Sequence, residues 1–447
     1  MATECCTQLG LGFQPKIAVT FRGGEMTTDP GLLILRDLDH RLRLTESLGE
    51  RVEDRRDPRY VTHPVRALLR QRIYQIAAGY EDAIDANLLR HDPTFQVIVN
   101  GDGSDAPLAT QSTISRLENR VHWGDVREVS GLSFAWFLRH GHRLRTREDQ
   151  EILLDADSTE DPTHGHQQLA LFHGKYDTYM YHPLLIFEGG TGHLLSSRLR
   201  RGTAPDAEGV EGELARMVPS LRARFPRAAI RFRADAGFAS PKLLNWLDAE
   251  GIEFLTGIPH HPVFHRLTAP ILHRAKERFE RTRTPIRIDA SFWFRARRWQ
   301  RRHRILVKVE VNAQGTNVRC VVTNRAGRAA DLFAIYARRG DVENRIDELK
   351  NELHADRLSC SRYRANALRL QLHTLAYNLM HFLRHWLVDT PLERAQTATI
   401  RFKLFKVGAR VIRTVRRIWF HLASGWPYQD LFVQAHRAIR QRAPAVF

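Results

Sequence analysis

Sulfur is scarce in this chain: four cysteines and five methionines among 447 residues. Cys5, Cys6, Cys320 and Cys360 form no CxxC pair at metal spacing and no even ladder. That excludes a thiolate zinc finger and a disulfide-stapled scaffold, and it predicts reduced thiols in a cytosolic protein. Cys5-Cys6 has no partner cluster nearby. No apolar run reaches the ~20 residues that cross a bilayer, so no membrane partner is expected. The N-terminus lacks a basic segment followed by an apolar one, so no secretory signal is expected. Internal repeats and low-complexity linkers are absent too.

What is present is positive charge. Lys and Arg number 68 against 50 Asp and Glu, a formal net charge of +18 and a pI near 10.3. Such an excess favours a polyanionic partner, and nucleic acid is the usual one. Hydrophobic residues make up 43% and aromatics 9%, enough for packed cores rather than disorder. The length predicts two or three domains.

The first stretch, 1–145, reads as mainly helical. Ile17, Val19 and Phe21 alternate as a short strand, Asp29-Pro30 looks like a helix start, and His63-Pro64 opens another helix. Gln111 to Glu118 reads as a helix start with a Ser115…Glu118 capping box, whose polar first turn suits a DNA groove or backbone. Near residue 150 the pattern changes to strands: Glu151–Asp157, Leu169–Tyr181, Pro183–Phe187 and Leu194–Leu199. Helix and strand then alternate, with strands at Ile230–Asp235 and Glu253–Gly257, which predicts a mixed α/β sheet. Residues 259–328 read as a basic, β-rich inserted subdomain with strands at His303–Asn312 and Thr316–Asn324. Helical sequence runs with interruptions from Asp331 to Leu387, and Gly340 is a possible break. Its strongly apolar part, from Asn366 to Val388, suits core packing, with a dimer surface as the sharper alternative. The partition is therefore 1–145, a catalytic part at 146–390, and a basic region at 391–447. In the last, Arg401, Lys403, Lys406, Arg410, Arg413, Arg416 and Arg417 suit phosphate contact.

Carboxylates at strand ends in so basic a protein repel DNA unless a cation lies between. Mg²⁺ takes oxygen ligands, and two such ions can activate an attacking oxygen and stabilise a leaving one. Asp157 ends the first strand in Leu154-Asp-Ala-Asp-Ser-Thr159. Asp155, two residues earlier, shares its sheet face, and either can be the ligand. Asp157 is preferred because its Asp-Ser-Thr run meets the loop. Asp235 ends another strand, either facing away from Ile230, Phe232 and Ala234 or sitting just past the strand. Glu343 shares a helical stripe with Tyr336, Arg339 and Lys350 if the helix is continuous; Asp347 and Glu348 compete for its role.

Tyr336, two residues, Arg339, three residues, Glu343, six residues, Lys350 resembles the Y-R-E-K signature of bacterial insertion-sequence transposases. Asp157-Ser-Thr and Arg-Ala-Asp235-Ala-Gly-Phe are similar to the segments around that family's two catalytic aspartates. The likeness runs from roughly residue 20 to 425. It implies an RNase H-like catalytic domain with a β-rich insertion, a helical N-terminal DNA-end-binding region and a C-terminal region for DNA contact or dimerisation. Asp157, Asp235 and Glu343 would hold two Mg²⁺ ions, with Mn²⁺ as a substitute. Tyr336, Arg339 and Lys350 would contact the transposon-end backbone. Trp293 or Trp299 would stack on a flipped base. The implied activity is cut-and-paste transposition by a homodimer on double-stranded terminal inverted repeats and target DNA, in the cytoplasm at the nucleoid. A metal nuclease without strand transfer, and a non-catalytic DNA-binding descendant acting as a repressor, are the alternatives.

Overall fold

The computed structural model describes residues 9–10, 13, 16–101, 103–141 and 151–442. Cys5 and Cys6 lie outside the described residues. The chain divides into two compact units. One comprises residues 1–125, 352–354 and 375–447, and the other residues 126–351 and 355–374.

The second unit is built on one eight-stranded sheet. Its strands are β1 (Ile152–Ser158), β2 (Leu184–Glu188), β3 (Leu194–Arg198), β4 (Ile230–Ala234), β5 (Glu253–Gly257), β6 (Ile286–Phe294), β7 (His303–Asn312) and β8 (Gly315–Thr323). Their spatial order is β6-β7-β8-β5-β4-β1-β2-β3. β1, β4 and β5 are parallel; β2 pairs antiparallel with β1 and β3 antiparallel with β2, so of these five only β2 runs in the opposite direction. The order 3-2-1-4-5 with β2 reversed is the RNase H-like sheet that the resemblance implies. Helices flank it: α1 (Trp123–His140), α2 (Val210–Arg224), α3 (Pro241–Ala249), α4 (Pro262–Thr282), α5 (Ala329–Ala337), α6 (Gly340–Asp347) and α7 (Tyr363–Trp386). The part of α7 up to Thr374 belongs to this unit and the remainder to the other.

Strand parity sorts the unit into a core face and a polar face. Ile152, Leu154 and Ala156 of β1 meet Phe232 and Ala234 of β4 in the core, with Leu214, Met217 and Leu221 of α2. The opposite parity carries Asp155 and Asp157 on β1 and Arg233 on β4. Asp155 and Arg233 are register partners on adjacent strands. Arg233 grips Asp155 with both fork nitrogens at 2.7 Å and donates a third hydrogen bond to the Ile335 carbonyl of α5. Both side chains are almost fully buried.

The insertion departs from the expectation for 259–328. Its three strands continue the central sheet through β8, which pairs with β5. Between β5 and β6 the chain forms the 21-residue helix α4, unexpected in a region read as β-rich. His261 caps it and Pro262 occupies its first position, the ordinary start signal. The dense basic side chains on α4 obscured the apolar stripe of Thr268, Ile271 and Ala275. The expected strand at Leu169–Tyr181 is instead a pair, Leu171–His173 and Thr178–Tyr181, folded at Asp177, whose φ is 53°.

In the first unit, helix Gln111–Arg120 starts at an N-cap of Thr110. This corrects the Ser115…Glu118 capping box: Ser115 is inside the helix, and Glu118 is buried 3.5 Å from Arg72. Asp29 is a buried anchor rather than a side-chain cap, taking Lys406 at 2.5 Å, Thr28 at 2.8 Å and Tyr80 at 3.0 Å. The strand near residue 17 is only Ala18–Val19. Part of the basic 401–417 stretch is committed internally. Arg401 donates to the carbonyls of Ile76, Ala77 and Glu352, and Arg413 pairs with Glu25. No helix among the described residues is long and apolar enough to cross a membrane.

Asp155→Ala leaves Arg233 charged and buried. Removing one partner of such a pair costs about 3–5 kcal/mol, which denaturant unfolding would report. A loss under about 1 kcal/mol, typical of an exposed pair, would show that this ion pair does not anchor the sheet.

Candidate active site

Register places the first two acids. Arg233 pairs with Asp155 and Ala234 with Ala156. Asp235, one step beyond, therefore comes level with Asp157, and both point to the face that carries Asp155 and Arg233. Neighbouring strands are about 4.8 Å apart, so the two carboxyl groups leave adjacent strand ends side by side. Of the two aspartates on β1, Asp155 is spent on Arg233 and Asp157 meets Arg339.

Burial is the largest influence on both pocket acids. It pushes the Asp157 carboxyl up to about 7, with the neighbouring Asp235 carboxylate adding to the rise. Arg339, at 3.1 Å, pulls the other way and does not win. Asp235 is also raised, by burial first and then by the Asp206 carboxylate. Its Oδ1 accepts the Gly237 N–H at 2.9 Å. Carboxyl groups held above their ordinary range by burial and by neighbouring carboxylates are short of positive charge.

The third acid comes from α6. α5 and α6 are separate helices that meet at Arg338-Arg339 rather than one continuous rod. The backbone stays right-handed there, so Arg339 still reaches Glu343 one turn on. The Arg339 guanidinium thus bridges Asp157 and Glu343. Glu343 bears on the Asp157 charge. Tyr336 completes the group: its hydroxyl lies where a Cβ on Gly257 would stand, 2.6 Å away. A wide helical turn over Glu348–Glu352 follows α6. From it Lys350 reaches the Glu160 carboxylate at 2.7 Å and the Glu160 carbonyl at 2.9 Å.

The two tryptophans separate. Trp299 is buried, edge-on to Phe294 and His303, and its ring is not offered to a base. Trp293 is 61% exposed on β6, the edge strand. Sequence reading missed Asp206, in the loop between β3 and α2, and Arg319 on β8. Arg319 lines two cavities of about 340 and 300 Å³ that both border Tyr336 and Arg339. Neither residue belongs to a periodic pattern or motif; only tertiary contact reveals them.

Among the described residues no three His, Cys, Asp or Glu side chains already stand close enough to hold a metal ion. The acids surround Arg339 instead. The donor set still suits a hard divalent cation: it is all oxygen, buried at two positions and undercompensated. The Glu343 side chain, 59% exposed, can turn without moving the backbone.

A family model described as Transposase DDE domain group 1 matches residues 9–444. Enzymes of this kind generally use a divalent metal. No curated protein matches the chain in sequence. Among solved structures the chain is similar to a piggyBac transposase in a synaptic complex with hairpin DNA. Identity is 12%, over 94% of this chain and 83% of that one, with a TM-score of 0.45.

The raised Asp157 carboxyl has a stability signature. Its folded value, about 7, exceeds the ordinary 3.8. The folded state therefore loses nothing below pH 3.8, loses progressively more as pH rises toward 7, and stays at full loss above. Asp157→Asn removes that titration. Melted in chelator across this range, the variant should gain on the parent protein as pH rises, then level off. A gain independent of pH would show that Asp157 is not raised.

Proposed function

This chain belongs to the transposase DDE domain group 1 family, and from that premise we propose that it is an active DNA transposase of a bacterial insertion sequence. The observation that carries the proposal is the pairing of Asp157 and Asp235 at adjacent parallel strand ends, with Glu343 brought alongside through Arg339. In this reading the three carboxylates are the catalytic acids. They would hold two Mg²⁺ ions, or Mn²⁺, which when bound acidify an attacking hydroxyl and stabilise the leaving oxygen of a phosphodiester.

The remaining roles follow from what each side chain now touches. Arg339 neutralises Asp157 and Glu343 while no other cation does. With DNA in place, its guanidinium turns to the backbone phosphate, a partner its planar fork suits, and Glu343 turns in to the other acids. Tyr336 offers its hydroxyl to the same strand. Lys350, now on Glu160, supplies a point charge to the phosphates beyond. Trp293 offers the exposed ring for an unpaired base. Residues 1–145 would bind the element ends, and 391–447 would contact DNA or a second copy, giving a homodimer on paired double-stranded ends at the nucleoid. The net charge of +18 supports the polyanionic partner.

Incubation with duplexes carrying the sequences that flank its reading frame, plus Mg²⁺, tests the proposal. Strand transfer is the expected outcome. Cleavage alone would reduce the protein to a nuclease, and metal-independent binding alone would leave a repressor-like DNA binder. Glu343→Gln should retain end binding while cleavage falls below about one per cent, because even residues behind a metal ligand cost 10–100-fold when changed. Activity surviving that change removes Glu343 from the acid set.

A further inference from the structure

Between β3 and α2 the chain runs Ala204-Pro205-Asp206-Ala207-Glu208. We propose that Asp206 is a fourth carboxylate of the same pocket, closing its Asp235 side and helping to hold a divalent cation there. The proposal rests on the reading of the pocket as a divalent-metal centre.

Its backbone is built into place. Arg200, almost fully buried, donates from Nη1 to the carbonyls of Pro205, Asp206 and Glu208, each at 2.9 Å, and from Nε to the His182 carbonyl at 2.7 Å. A buried arginine spent on backbone oxygens fixes the loop, and its charge also bears on the Asp206 side chain.

Both carboxylate oxygens touch the segments that carry the catalytic aspartates. Oδ1 accepts from the Ser158 hydroxyl at 2.5 Å, next to Asp157. Oδ2 lies only 2.0 Å from where a Cβ on Gly237 would stand. Gly237 belongs to the turn that donates its N–H to Asp235. The glycine is thus what allows Asp206 to close on Asp235. A loop so firmly supported sets the Asp206 carboxylate against both the Asp157 strand end and the Asp235 turn.

An independent observation points the same way. His182 is 2% exposed, and its Nδ1 lies 2.8 Å from the Ala204 carbonyl. A carbonyl only accepts, so Nδ1 carries the proton and a neutral ring presents a lone pair at Nε2. Nε2 is buried, has no hydrogen-bond partner, and lies 3.4 Å from Asp206 Oδ1. The buried Nε2 and the partly exposed Asp206 Oδ1, which also accepts from Ser158, thus face each other where an electropositive ligand would satisfy both.

Mn²⁺ binding to the full chain, measured by loss of the free-ion electron paramagnetic resonance signal, tests this without relying on turnover. Asp206→Asn and Asp206→Ser should each weaken Mn²⁺ binding about 10–100-fold, the range for groups supporting a metal site. Their metal-free melting temperatures should match or exceed that of the parent, because repulsion is relieved. Unchanged affinity in both variants overturns the role of Asp206. So does weaker binding that occurs only in a variant whose metal-free melting temperature also falls, since that assigns Asp206 to loop support. Were the parent chain itself to bind no Mn²⁺, the metal-centre reading would fail, a result distinct from either of these.

Discussion

A slip of one residue between β1 and β4 would turn Asp157 and Asp235 to opposite faces of the sheet, because side chains alternate along a strand. The pocket therefore depends on the register of these two strands. The buried Asp155–Arg233 pair fixes it from one face, and Ile152, Leu154, Phe232 and Ala234 fix it from the other. A slipped register would separate the ion pair and carry charged side chains into the apolar layer. Arg233 also donates to Ile335, so the same arginine ties α5 to the sheet one turn before Arg339. One ion pair thus sets both the spacing of the aspartates and the approach of the helix that brings the third acid.

That arrangement gathers negative charge in a chain whose net charge is +18. The cost is visible in Asp157 and Asp235, both raised by burial and by neighbouring carboxylates. Arg339 offsets part of it while bridging Asp157 and Glu343. In an open α/β sheet the carboxyl ends of the parallel strands are where ligands bind. Here those ends hold acids on rigid strands, with the mobile charge placed on helix side chains. Such a division lets the ionic partners exchange without disturbing the sheet.

Much of this was legible in the chain itself. The strands carrying Asp157 and Asp235 were readable because apolar residues alternate up to the acid, and β5 matched its expected bounds. Gly340 correctly marked the interruption between α5 and α6. Sequence spacing alone could not assign Asp155 and Asp157 to different tasks, because they share a parity. Only the cross-strand partner Arg233 separates them. Trp293 and Trp299 look equivalent in sequence, yet one lies on an exposed edge strand and the other packs on Phe294 and His303. Helix α4 was hidden by its charge density, and Asp206 by its position in a loop whose conformation is set by a distant arginine.

The insertion shows why such tertiary information matters for function. Because β8 joins β5 in register, the insertion lengthens the sheet that carries Asp157 and Asp235 and preserves its two faces. Leu255 pairs with Thr323, Leu306 with Val321, and Lys308 with both Arg319 and Asp289. Following that parity from Asp235 across the sheet leads to Arg319, then Lys308, then Arg287 and Trp293 on the edge strand. The acids, the insertion cations and the exposed tryptophan therefore lie on one continuous face. An insertion folded as a separate body would need a linker to hold that alignment; strand pairing supplies it directly. Arg319 forms no ion pair among the described residues, whereas Lys308 and Arg287 have acidic neighbours at Glu310 and Asp289. Positive charge without an internal partner is thus nearest the acids, between the two cavities that border Tyr336 and Arg339. A nucleic-acid strand crossing this face would meet that arginine immediately beside the carboxylates, where its phosphates most need compensation.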